Sequence, residues 1–347
     1  MAFKHSLFAL ALLATAPAYA GTFTQTNLTS DGAVQANNTD PNLVNPWGIA
    51  YSPTGPFWVS DNGTGLGTVY NTSGMPLSLV VTVPSGTGTG TGTPTGQVFN
   101  STTGFVVTKG ANSGPASFLF DTEDGSISGW NSSVDPTNAI IAVNLNSAGA
   151  VFKGLATYVD PKTKATYLLA ADLHTGVVDV FDSTFTMVRS FRDNNLEAVY
   201  APHNIAVFNG KIYVAYAWVD AQRHDVIAHA HWGVVEQVNI KGKVMAQAVG
   251  GLLNAPWGLA VAPPSFGKFA GDILVGNFGD GRITAFTAKL KPKGQLDSAP
   301  KTPIAIPGLW ALTVGNGGSG GSASDVYFTA GPNDEADGLF GSLSYTK

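Results

Sequence analysis

The phrase "PWGIAYS" begins at Pro46 and returns as "PWGLAVA" at Pro256. A chain that writes one phrase twice, so far apart, is built from a repeated unit. Looser copies start at Pro94 ("PTGQVFN"), Phe152 ("FKGLATY"), Pro202 ("PHNIAVF") and Gly308 ("GLWALTV"). The starts recur every ~50 residues, the period of a propeller blade. Each copy continues with a short apolar strand, a turn, a second apolar strand that ends in polar residues, then a glycine and a third strand. "FWVSDNGTGLGTVYN" from Phe57 and "DILVGNFGDGRITAFT" from Asp272 are examples. Fourth strands follow most copies, as in "LSLVVTVP" from Leu77, but the last copy runs out at Lys347 one strand short. The segment "TFTQTNL" from Thr22 is expected to supply it, which would close the ring and hide an open strand edge. The expected fold is all-β: a six-bladed β-propeller, with the ring closed by an N-terminal strand.

Composition supports this. With 42 Gly, 20 Pro and many Thr, Val, Phe and Tyr, short strands joined by turns are the natural reading, and no long window has helical periodicity. Residues 1–20, "MAFKHSLFALALLATAPAYA", read as a signal peptide: a basic start, an apolar run and the small-x-small end Ala18-Tyr19-Ala20. A secreted protein, periplasmic or extracellular, is expected, with residues 21–347 as one propeller domain and no membrane insertion. There is no cysteine, so disulfides contribute nothing to stability. The net charge is −5, and the 18 Lys and Arg are scattered, which argues against nucleic acid as a partner. "PSGTGTGTGTPTG" from Pro84 looks like a linker, yet the second copy starts inside it, so it reads as a flexible loop between blades.

The phrases "TDPNLVNPWGIAYSPTGPFWVSDNGTG", "TEDGSISGWN", "NAPWGLAVAP", "GDILVGNFGDGRI" and "FTAGPNDEADGLFG" resemble, over nearly the whole mature chain, a family of secreted bacterial proteins of uncharacterised function. The resemblance implies a six-bladed propeller related at a distance to NHL-repeat and gluconolactonase-like propellers. It implies no activity, so function has to be argued from the site.

In a propeller the first strand of each blade lines the central channel. The residue ahead of it then stands at the channel mouth: Trp47, Thr95, Lys153, His203, Trp257 and Trp310. Gly48 and Gly258 follow two of the tryptophans, where converging strands leave little space. The turns between second and third strands open on the same face. They bring Asp61 and Asn62, Glu123 and Asp124, Asp172 and His174, the cluster Asp220, His224, Asp225, His229 and His231, then Asn277 and Asp280, and Asn333, Asp334, Glu335 and Asp337.

Three readings of that face stay open. Imidazole and carboxylate from Asp172, His174, His203, His224, Asp225, His229 and His231 suit a divalent metal ion, calcium or zinc or another transition metal, and lactone or ester hydrolysis would follow. Gluconolactonase-like propellers bind their metal at this place, which is an argument from fold. Alternatively Trp47, Trp257 and Trp310, with Asp61, Asn62, Lys153, His203, Asn204, Asn277 and Asn333, form a glycan- or small-molecule-binding site. Thirdly, the tryptophans pack the channel, the Asp and Asn residues shape turns, and the protein is an interaction scaffold. No Gly-x-Ser-x-Gly elbow, phosphate loop or dinucleotide fingerprint is present, so no catalytic residue is assigned.

Overall fold

A computed structural model of the chain describes residues 21–347; the expected signal peptide lies outside the described residues. Six antiparallel sheets stand around a central axis, five of four strands and one to which the two-residue strand Asn38–Thr39 adds in parallel at the outer edge. Their innermost strands are Pro46–Ala50, Pro94–Phe99, Phe152–Val159, Tyr200–Phe208, Pro256–Val261 and Leu309–Val314, one for each repeated phrase. We number the blades 1 to 6 in that order.

The sixth blade is completed from the other end of the chain. Thr22–Ser30 pairs antiparallel with Leu339–Thr346, from Thr22 opposite Thr346 to Ser30 opposite Leu339. Phe23 fastens it, with its ring 5.1 Å from Phe266 and 5.3 Å from Tyr345.

The core is a set of wedges between neighbouring blades, and this explains why the second strands are apolar without alternation. In "YLLAAD" of blade 3, Leu168 packs toward blade 2 while Leu169 packs toward blade 4. In blade 4, Ile212 faces blade 3 and Tyr213 faces blade 5. Successive side chains on a strand point to opposite faces, and here both faces are interior.

Two details depart from the sequence reading. A hairpin, Val106–Lys109 with Asn112–Pro115, is inserted between the first two strands of blade 2. The Gly/Thr-rich run is held in place: Ser85 Oγ donates to Asp124 Oδ2 at 2.7 Å, and Asn144 Nδ2 donates to the Gly86 carbonyl at 2.8 Å.

Candidate functional site at the channel mouth

Every inner strand carries a β-bulge at its start. In blade 3 the register runs from Phe152 opposite Asp172 to Gly154 opposite Ala171, which leaves Lys153 as the extra residue. His203 and Trp257 are extra residues in the same way. Trp47 with Gly48, Thr95 with Gly96, and Trp310 with Ala311 each oppose a single partner. A bulge bends the strand and re-aims a side chain. The repeated phrase is therefore the sequence of a bulge that turns one side chain per blade toward the axis.

The glycines make room for it. A Cβ on Gly48 would lie 2.6 Å from the Thr95 carbonyl oxygen, on Gly96 2.3 Å from the Leu155 nitrogen, and on Gly258 2.6 Å from the Trp310 carbonyl oxygen. At each site the next blade's inner strand occupies the space of a side chain. Two residues ahead of each tryptophan the backbone is left-handed: φ is +45° at Asn45, +46° at Ala255 and +67° at Gly308.

All six aimed side chains are at most 4% exposed, and Trp47, Lys153, His203, Trp257 and Trp310 gather at the axis. Trp47 stacks on Trp310 with centroids 3.5 Å apart, Trp310 stacks on Phe278 at 4.2 Å, and Trp257 meets both tryptophans edge-on. Below this aromatic plug the channel holds a cavity of about 220 Å³, walled by all six inner strands.

Above it lies a polar relay that crosses five blades. Trp310 Nε1 donates to Asn45 Oδ1 at 2.9 Å, and Asn45 Nδ2 donates to Glu335 Oε2 at 2.7 Å and to Asn62 Oδ1 at 3.3 Å. Asn62 Nδ2 donates to Glu123 Oε2 at 2.9 Å. Lys153, 2% exposed, binds Glu123 Oε1 and lies 3.4 Å from Asp225 Oδ1, with its ammonium 5.1 Å from the centre of the Trp47 ring. His224 Nδ1 stands 3.4 Å from Asp225 Oδ2. Burial works to raise the Asp225 carboxyl, but the Lys153 ammonium and His224 outweigh it and hold it below the usual carboxylate range. Asp225 rides on a long loop of blade 4 that Arg223 latches to blade 3, donating to the carbonyls of His174 (2.6 Å), Ala198 (2.9 Å) and Leu173 (3.2 Å).

His203 is fully buried, and its Nδ1 lies 3.1 Å from the Pro256 carbonyl oxygen. A carbonyl only accepts, so Nδ1 carries the hydrogen and Nε2 is a bare acceptor. Burial, with the Lys153 charge, pushes the imidazole down to about 3, so the ring is neutral. His203 Nε2 and Trp47 Nε1 have no hydrogen-bond partner among the described residues. Both side chains line one cavity of about 60 Å³, together with Lys153, Asp225, Phe278, Trp310 and Glu335. Phe278 and Glu335 also border an outer depression of about 610 Å³ between the loops of blades 4, 5 and 6.

The mimivirus protein R648 of Acanthamoeba polyphaga mimivirus, whose name assigns no activity, is 31% identical to this chain over 326 residues, covering 91% of this chain and 78% of the relative. The chain belongs to its family. No protein-family profile matches the sequence. Among solved structures, a streptogramin B lyase superposes with a TM-score of 0.54 at 10% identity, covering 94% of this chain and 98% of its own. The PQQ-bound aldose sugar dehydrogenase from Streptomyces coelicolor superposes with a TM-score of 0.52 at 14% identity, covering 95% and 100%. At such identities the likeness is one of fold.

Within this family's propeller, the residues expected to act fall into three groups. Trp47, Asn62, Lys153, His203, Asp225 and Trp310 come together at the mouth. Of the expected metal ligands only His224 and Asp225 enter a ligand group among the described residues; with Glu123 they offer donor atoms that all lie within 4.8 Å of one another. The others have different work. Asp172 caps its own turn, accepting from the nitrogens of Val151, His174 and Thr175. His174 stays on that turn and contributes to no ligand group among the described residues. His229 stacks on Trp232 at 4.1 Å and His231 donates from Nδ1 to the Gly251 carbonyl, so these two expected ligands sit on a loop with separate contacts.

Several expected ligand contacts are structural too. Asp61 is fully buried on Thr68, and burial pushes its carboxyl well up. Asn204 staples blade 4 to the Trp257 carbonyl at 2.8 Å. Asn277 closes its turn on Leu252 and Asp280. Trp257 donates across the channel to the Lys153 carbonyl at 2.9 Å. Asn333, exposed, bonds Asp337. The tryptophan faces expected to receive a sugar are occupied by one another. Asn45 and Phe278 were missed as site residues, and Glu123 and Glu335 were placed on the face without a role. A signal existed for Asn45: Asn tolerates the left-handed backbone better than most residues, and it directly precedes Pro46-Trp47.

Proposed function

We propose that this protein binds a small hydroxyl-bearing molecule, a sugar or other polyol, at the mouth of its channel. The observation that carries the reading is the pair of unpartnered buried atoms on one small cavity. Buried polar groups are almost always hydrogen-bonded. Trp47 Nε1 only donates and the neutral His203 Nε2 only accepts, and a hydroxyl group does both at once. The cavity of about 60 Å³ has room for a hydroxymethyl-sized group, and the outer depression takes the body of the ligand over Phe278. Lys153 and Asp225 border the same cavity and supply a charged donor and acceptor.

The test is calorimetric titration of the purified protein with a panel of monosaccharides and short oligosaccharides, repeated on His203→Phe and Trp47→Phe. Saturable binding that both substitutions weaken at least tenfold, in proteins that still unfold cooperatively, supports the reading. A panel with no binder rejects it.

The metal reading has one observation in its favour, the Glu123, His224 and Asp225 donors. Carboxylate and imidazole suit a transition ion better than calcium. Yet the Lys153 ammonium already lies against Glu123 Oε1 and Asp225 Oδ1, so an ion there would have to displace it. The residues do not fit a metal with the lysine in place, and no hydrolytic step is assigned. Metal content before and after chelation checks this point.

A further inference from the structure

We propose that the ligand of this site carries a positively charged amine, as an amino sugar does. The inference rests on the sugar-binding reading and narrows it. The walls of the inner cavity and the outer depression hold four carboxylates, Asp225, Asp280, Asp334 and Glu335, against one cation, Lys153, and no other lysine or arginine borders either space. Lys153 is already engaged by Glu123 and Asp225. The excess negative charge therefore lies on the outer depression, where Asp280 and Asp334 have no basic neighbour on the wall and Glu335 has only the engaged Lys153 of the inner cavity.

These carboxylates are dispersed rather than convergent. Among the described residues the one group whose donor atoms approach within metal-binding distance is Glu123, His224 and Asp225, and neither Asp334 nor Glu335 joins it. Separated charges around a space of about 610 Å³ suit an organic cation better than a metal ion, and Phe278 on the same wall offers an aromatic surface to an ammonium.

Glu335 links the two spaces. Its Oε2 is fixed by Asn45, while Oε1 has no hydrogen bond among the described residues. It ends a run of three non-glycine residues in the left-handed region, with φ of +55° at Asn333, +54° at Asp334 and +68° at Glu335. Such backbone costs about 1–2 kcal/mol per residue and is found at ligand clamps. The inner cavity that Glu335 also borders carries the unpartnered, fully buried His203 Nε2, a sign separate from the carboxylates that a polar group is received beside them.

Glucosamine and its β-1,4-linked tetramer are titrated against glucose and the fully N-acetylated tetramer, at low and at moderate salt. The expected result is at least tenfold tighter binding of the amines, an advantage that salt reduces because exposed charges are screened. Glu335→Gln, and separately the exposed Asp334→Asn, should lower amine affinity toward that of the neutral sugars, with the melting temperature of the second variant unchanged. Neutral sugars binding as tightly as amines, or amine affinity indifferent to both substitutions, would overturn the charge inference and leave the sugar reading standing. If no sugar of either kind binds the folded protein, both fall.

Discussion

The channel mouth has two halves built on one backbone device. Blades 1, 5 and 6 use the bulge to aim Trp47, Trp257 and Trp310, and the left-handed residue two places earlier recurs in all three. Blades 2, 3 and 4 use the same bulge to aim Thr95, Lys153 and His203. In the first half the side chains cover one another and plug the axis. In the second they leave a buried ammonium, a bare imidazole nitrogen and a cavity. A constant backbone position thus carries an aromatic plug on one side and polar groups on the other, and the difference lies wholly in side-chain chemistry.

Removing residues 21–30 should break both halves at once, since blade 6 loses its outer strand and the ring its closure. We expect an insoluble or molten product; a truncated chain that unfolds cooperatively at the normal temperature would refute the closure argument. Next in size, Trp310→Ala should destabilise the protein by about 3–5 kcal/mol in urea unfolding, the usual cost of deleting a buried aromatic side chain. Lys153→Met should cost less, about 1–2 kcal/mol, because its apolar stem is replaced and Glu123 keeps its hydrogen bond from Asn62, while the proposed sugar binding is lost. Equal stability losses for the two would erase the division into an aromatic half and a polar half.

The polar half should also make stability depend on pH. Asp121 holds the blade 2 bulge, accepting from Thr95 Oγ1 at 2.9 Å and the Gly96 nitrogen at 2.6 Å, and burial pushes its carboxyl up to about 7. Burial pushes Glu236 of blade 4 up to about 7 as well. Both bind a proton more tightly folded than unfolded. Their contribution is therefore full below the unfolded value of about 4 and is lost as pH rises toward 7. The melting temperature should fall between pH 5 and pH 8, and Asp121→Asn, the isostere of the protonated acid, should flatten part of that slope. The smallest effect tests the aromatic half. Ala255→Gly should stabilise by about 0.5–1 kcal/mol, because φ of +46° strains alanine and not glycine; a loss of stability would show that the strain argument at this position is mistaken.

The architecture was legible because a bulge, its glycine and its flanking strands are local, and local geometry repeats as words along the chain. Six copies of such a word count the blades, and the missing strand after Leu339 points to Thr22–Ser30. Individual mouth residues could be read for the same reason. Their partners could not. Glu335 meets Asn45 across 290 positions of sequence, and Lys153 meets Asp225 across 72. Nothing in "GPNDEADG" distinguishes Glu335, which faces the cavity, from Asp337, which closes a turn with Asn333. His229 and His231 qualify as ligands by residue type and spacing, but on their loop each meets a different partner. The sequence by itself determined six blades, their closure and which residue each blade turns to the axis, since those follow from strand periodicity and backbone sterics. Only the closed ring decided which of those side chains find partners and which keep an unpartnered polar atom, because that depends on what the opposite blades bring within a few ångströms.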